Sequence, residues 1–126
     1  MFSNLMNNNI KIDIVGAGED IVLLTIKGSL DTLAAYQLQE RIKTLLEQGR
    51  QKFLVDLAHL EYLSSAGIGL FSALILNQLR QHDQILFLNV PEHVEQVLRI
   101  THLIEIFPLA DNLETALARL DPDLAQ

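Results

Sequence analysis

Cysteine and tryptophan are both absent from the 126 residues, proline occurs three times, and aromatics make up only 6%. Without cysteine there is no disulfide framework, thiol nucleophile, iron–sulfur cluster or Cys-ligated zinc. No stretch approaches the roughly 18 consecutive apolar residues of a membrane span. Positive charge is also scarce: nine Lys and Arg face 16 Asp and Glu, for a net charge of -7. Phosphate contacts need clustered cations, so direct nucleic-acid binding is disfavoured, and Lys43, Arg50 and Lys52 are too few for a basic stripe. His59, His82, His93 and His102 share no metal-ligand spacing, and HExxH is absent. No metal or cofactor is therefore expected. Residues 1–9 are polar and Asn-rich, with no basic n-region, apolar h-region or cleavage site. They read as the loose leader of a cytoplasmic protein, and residues 121–126 as a frayed tail.

What is present is a 49% apolar chain whose hydrophobic period switches repeatedly. At this length one domain is expected, burying roughly 65% of its extended-chain surface. Ile10, Ile12 and Ile14 alternate with polar neighbours as a first strand. Gly16-Ala17-Gly18 turns the chain, and Ile21 to Lys27 is a second strand closed by Gly28. Leu33, Tyr36, Leu38, Ile42, Leu45 and Leu46 follow at helical spacing as one broad apolar face, with Asp31 or Thr32 as cap and Gly49 as terminator. Phe53 to Val55 reads as a strand buried on both faces, ending at Asp56. A polar-tipped loop over Ala58 to Ser64 and a helix over Ser65 to Gln81 come next. Ile85 to Leu88 is a further strand. Pro91 suits the first turn of a helix reaching Ile100. Ile104 to Phe107 reads as a last strand, and Asp111 with Glu114 as the capping box of a final helix through Leu120. The order ββαβαβαβα demands crossovers, hence an α/β domain with a mainly parallel central sheet and one N-terminal antiparallel strand.

Ser64-Ser65-Ala66-Gly67-Ile68-Gly69-Leu70 carries the most chemical information. Two hydroxyls sit where a helix begins, and a helix start leaves backbone N–H groups unpaired and favours negative charge. Gly67 and Gly69 reduce bulk on the first turns and allow another surface to approach. A phosphate on one Ser would add about -1.5 to -2 charges there. A Ser at this position also reads simply as a helix cap, and the glycines as packing devices. The segment is neither a P-loop, nor a G-x-S-x-G elbow, nor a dinucleotide fingerprint.

Phe53 to Leu57, then Leu60-Glu61-Tyr62-Leu63-Ser64-Ser65-Ala66-Gly67-Ile68-Gly69-Leu70, resembles the signature of the STAS domain family. Gly28-Ser29-Leu30-Asp31, Leu88-Asn89-Val90-Pro91 and Glu114-Thr115-Ala116-Leu117 extend the resemblance from about Ile10 to Leu120. The family includes anti-sigma factor antagonists and the cytoplasmic tails of sulfate transporters. In the antagonists the motif is Asp-Ser-Ser-Gly with its first Ser phosphorylated. Aligned on Gly67, that acceptor falls on Ser65, with Ser64 in place of the Asp and as second choice.

The resemblance implies a non-enzymatic switch. The unphosphorylated protein binds an anti-sigma factor that is also a serine kinase, phosphorylation breaks the complex, and a metal-dependent PP2C-type phosphatase resets it. The implied binding face is Asp31 and Thr32, Leu60 to Leu63, and Ser64, Ser65, Ala66, Gly67, Ile68 and Gly69. Asp31 is alternatively only a helix cap, and Asp56 either assists at the sheet's C-terminal edge or just ends its strand. Two other readings stand beside the switch: a non-phosphorylated scaffold or small-ligand module of a transport or sensory assembly, and a hydrolase pairing Ser65 with His59 and an acid, Asp56 or Glu61. The oligomeric state is left open.

Overall fold

The computed structural model describes residues 9–81 and 84–120. Its strands are β1 (Ile10–Val15), β2 (Ile21–Leu30), β3 (Lys52–Leu63), β4 (Gln84–Leu88) and β5 (Leu109–Ala110). The helices are α1 (Thr32–Glu47), α2 (Ser65–Gln81), α3 (Glu92–Ile100) and α4 (Leu113–Leu120), with a 3-10 turn at Leu103–Glu105. Apart from Asn9, the expected leader and tail lie outside the described residues. Asn9 is tied in: its carbonyl accepts from the Lys27 N–H at 2.8 Å.

One sheet runs in the order β1-β2-β3-β4-β5. The Gly16 to Asp20 turn is tight enough only for an antiparallel neighbour, so β1 pairs antiparallel with β2, Ile10 opposite Ile26. Every later pair is parallel. That sequential order decides which face each helix covers. Three right-handed crossovers all stepping the same way must put α1, α2 and α3 on one face. The main core follows: Leu38 and Ile42 of α1, Phe71 and Ile75 of α2, and Val94 and Leu98 of α3 pack with Val22, Leu24, Val55 and Phe87 of the sheet. Phe71, Phe87 and Phe107 form a ring cluster at its centre, Phe71 meeting Phe87 edge-on at 5.1 Å. Among the described helices only α4 covers the other face, where Ala116 and Leu120 meet Ile21, Leu54, Leu86 and Leu88.

Helix α1 starts and stops as expected. Asp31 Oδ1 accepts from the Ala34 N–H at 2.8 Å, and Gly49 follows the C-cap at φ 89°. Five local expectations are corrected. Gly28 does not close β2: at φ 70° it lies at a bulge, and the strand continues to Leu30. Ala58 to Leu63 is not a loop but the second half of β3, paired with β2 through Leu63 opposite Leu30. Ile104 to Phe107 is not a strand; Leu103 to Glu105 winds as a 3-10 turn, and the last strand is the two-residue β5 after Pro108. Helix α4 is capped by Asn112, whose Oδ1 accepts from the Thr115 N–H at 2.7 Å, rather than by Asp111. Pro91 precedes α3 as its N-cap instead of occupying its first turn.

Candidate functional site

The site is built where the ends of β2 and β3 feed α1 and α2. Strand β4 pairs with β3 only as far as Asp56, so beyond that point β2 and β3 continue as a two-stranded ribbon. The ribbon ends by clamping one serine. The Leu30 carbonyl accepts from both the Ser64 N–H at 3.0 Å and the Ser64 hydroxyl at 2.7 Å. Ser64 Oγ in turn accepts from the Gly67 N–H at 3.1 Å. Ser64 is therefore the N-cap of α2, fully engaged and only 6% exposed.

Ser65 is different. It is the first helical residue and is exposed to solvent. Of the four N–H groups that a helix start leaves over, the Ser64 and Gly67 groups are taken, while no bond among the described residues occupies those of Ser65 and Ala66. An exposed hydroxyl thus stands beside two free donors at the positive end of a 17-residue helix. No Lys or Arg occurs between Phe53 and Leu79, so no basic side chain of this segment stands ready to neutralise charge placed there.

The two glycines part company. A Cβ on Gly67 would lie 2.7 Å from Leu63 Cδ1 and 3.0 Å from Leu30 Cδ2, so the missing side chain makes room for the protein's own core. At Gly69 a Cβ would meet nothing within 4 Å, and the position opens on solvent. The expected close approach of another surface is thus available at Gly69 and not at Gly67. Leu60 is likewise withdrawn from the expected binding face: it is 2% exposed, in the main core. Asp31, Thr32, Glu61, Tyr62 and Ser65 are exposed, while Leu63, Ala66 and Ile68 are half-buried.

A family match over most of the chain is decisive. The family model described as the STAS domain matches residues 12–116. The chain belongs to the STAS domain family. Among similar proteins, BtrV of Bordetella bronchiseptica, named as a proposed anti-sigma factor antagonist, is 29% identical over 101 residues, covering 79% of this chain and 86% of that one. The anti-sigma-B factor antagonist of Staphylococcus epidermidis is 29% identical over 97 residues, covering 76% and 89%. The anti-sigma factor antagonist SpoIIAA in its unphosphorylated form shares the fold, with a TM-score of 0.75 at 22% identity over 90% of this chain and 96% of that one.

Within this STAS domain the remaining candidates are structural. Asp56 Oδ1 accepts from the Ala58 N–H at 3.0 Å and from Asn89 Nδ2 at 3.2 Å, tying the end of β4 to β3. Asn89 itself turns the chain at φ 54°. No hydrogen bond among the described residues joins Ser65 to His59, Asp56 or Glu61. No group of three potential metal ligands occurs among the described residues, and no helix there is long and apolar enough to cross a membrane.

Two residues expected on one apolar face with Leu38 and Ile42 are corrected to the solvent side. Leu33 and Tyr36 of α1 are 62% and 60% exposed. Tyr36 forms one wall of a shallow groove of ≈ 150 Å³ between α1 and α2, floored by Ala66, Gly69 and Ala73. The helical angle held the signal. At about 100° per residue, Leu33 falls half a turn away from Ile42 and so cannot share its buried face.

Proposed function

We propose that this STAS domain is an anti-sigma factor antagonist switched by phosphorylation of Ser65. Unphosphorylated, it binds an anti-sigma serine kinase through the surface made by Asp31, Thr32, Leu33, Tyr36, Glu61, Tyr62, Ser65 and Gly69. ATP-dependent transfer to the Ser65 hydroxyl releases it, and a PP2C-type phosphatase restores it. The observation that carries this reading is the contrast between adjacent serines: Ser64 is buried and bonded at both its donor and its acceptor positions, while Ser65 is exposed on the helix start.

The expected energetics follow from position. The helix terminus tolerates the phosphate within the monomer. A partner packed against Tyr36, Tyr62 and the first turns of α2 would have to bury that charge beside Asp31 and Glu61, facing repulsion and lost hydration. Each 1.4 kcal/mol of lost binding is about tenfold in affinity.

Intact mass spectrometry after incubation with a histidine-kinase-like serine kinase and ATP tests the assignment. One added phosphate is expected, absent in Ser65→Ala and retained in Ser64→Ala. Titration calorimetry should find Ser65→Ala binding the kinase persistently and Ser65→Asp binding at least tenfold more weakly. Equal affinities for the two variants would reject the switch.

A further inference from the structure

We infer that the outer edge of β1, which no other described strand pairs with, is a self-complementary surface that joins two copies of this chain into one continuous sheet. This inference is independent of the Ser65 switch. Strand β1 is the outer strand of the sheet. The Lys27 N–H donates to the Asn9 carbonyl, which fixes the phase of the β1–β2 ladder. In an antiparallel pair, alternate residues exchange both bonds with the partner strand and the ones between point away. In the observed register Asn9, Lys11, Asp13 and Val15 therefore turn their backbone groups toward β2. The N–H and C=O groups of Ile10, Ile12 and Ile14 point out of the sheet's edge.

A second copy can use those groups in only one satisfactory register. A two-fold axis at Ile12 sets Ile12 against Ile12, and Ile10 against Ile14, giving two bonds for each of three pairs, about six in all. Ile14, 40% exposed in the monomer, would be covered by the other copy's Ile10. Lys11 and Asp13 then face each other across the axis at positions without ladder bonds, where side chains approach most closely. In the monomer these two already make an exposed contact at 3.7 Å along their own strand. The second copy completes a square of alternating charge. Sliding by two residues in one direction puts Lys11 against Lys11, and in the other puts Asp13 against Asp13. A one-residue slip mismatches the outward-pointing groups and flips the faces. A lysine on an edge strand commonly repels stray strands. Paired with Asp13, it repels the registers two residues to either side of the one that matches a second copy.

Sedimentation velocity on the full chain over a range of concentrations tests this. A reversible dimer is expected. Lys11→Asp and Asp13→Lys should each weaken it about tenfold, since both cross-strand pairs turn from attraction to repulsion. The double variant Lys11→Asp/Asp13→Lys should restore it, because the pairs are merely exchanged. Mixing the two single variants should yield a heterodimer. Both side chains are exposed, so folding should survive, and circular dichroism checks that it does. A monomer at every concentration up to about 1 mM, a dimer indifferent to both single reversals, or a double variant as weak as the singles would overturn the inference.

Discussion

Strand β3 is two strands in one. Its first half, Lys52 to Leu57, is flanked by β2 and, as far as Asp56, by β4, and Phe53, Leu54, Val55 and Leu57 are all buried. Its second half, Ala58 to Leu63, has only β2 beside it among the described strands, carries two register shifts, and exposes Ala58, His59, Glu61 and Tyr62. The first half is buried on both faces because helices cover both. The second runs past β4 and delivers the chain to Ser64. One segment thus anchors the fold and then presents a surface, with the bulges marking the change.

The comparison breaks most visibly if a residue of the buried half is truncated. Leu54 is fully buried in a cluster with Leu86, Leu88 and Ala116 on the face that α4 covers. Leu54→Ala should cost about 2–5 kcal/mol, the range for a core leucine whose cavity cannot collapse. Tyr62→Ala in the other half removes a side chain 55% exposed and should change stability by no more than about 0.5 kcal/mol. Urea unfolding midpoints measure both. Equal losses would mean that the ribbon is part of the core. The same Tyr62→Ala protein should show its loss in kinase binding.

The next contrast is between glycines two residues apart. Gly67→Val would drive side-chain atoms into Leu63 and the fully buried Leu30, costing about 1–3 kcal/mol. Gly69→Ala meets open space in a helix interior and should stabilise by up to about 1 kcal/mol. If Gly67→Val were neutral, Leu30 and Leu63 would not be close-packed against the helix start.

The two halves of β3 also differed in how legible they were in the sequence. The buried half announces itself as a short apolar run. The second half did not read as a strand because each bulge adds a residue to β3. Leu57, Leu60 and Leu63 turn inward at intervals of three, which hides the period of two. Ile104 to Phe107 misled for the opposite reason. Three of its four residues are apolar, but Ile104 packs from a 3-10 turn beside Leu103, Phe107 enters the core just beyond it, and Ile106 faces solvent. Local composition could place Ser65 at a helix start. It could not show that Ser64 is consumed by Leu30, because that bond spans 34 residues. The faces covered by α1, α2 and α3 became readable only once the strand order was known.

The smallest expected effect sharpens the comparison to adjacent hydroxyls. Ser64→Ala removes a cap that accepts from Gly67 and donates to Leu30, leaving the buried Gly67 N–H without its acceptor and the Leu30 carbonyl with the Ser64 N–H alone. About 1 kcal/mol of stability should be lost, within the usual range for a helix cap. Ser65→Ala removes an exposed hydroxyl for which no hydrogen bond is found among the described residues, so its stability should stay within about 0.5 kcal/mol of the parent. Phosphorylation should show the reverse order, abolished by the change at Ser65 and retained after the one at Ser64. Unfolding midpoints and intact mass on the same two proteins therefore separate the residue that holds the helix start from the residue that the helix start displays. A Ser65→Ala protein destabilised as much as Ser64→Ala would show that both hydroxyls serve the fold, and would leave neither serine of the pair free to act as the switch.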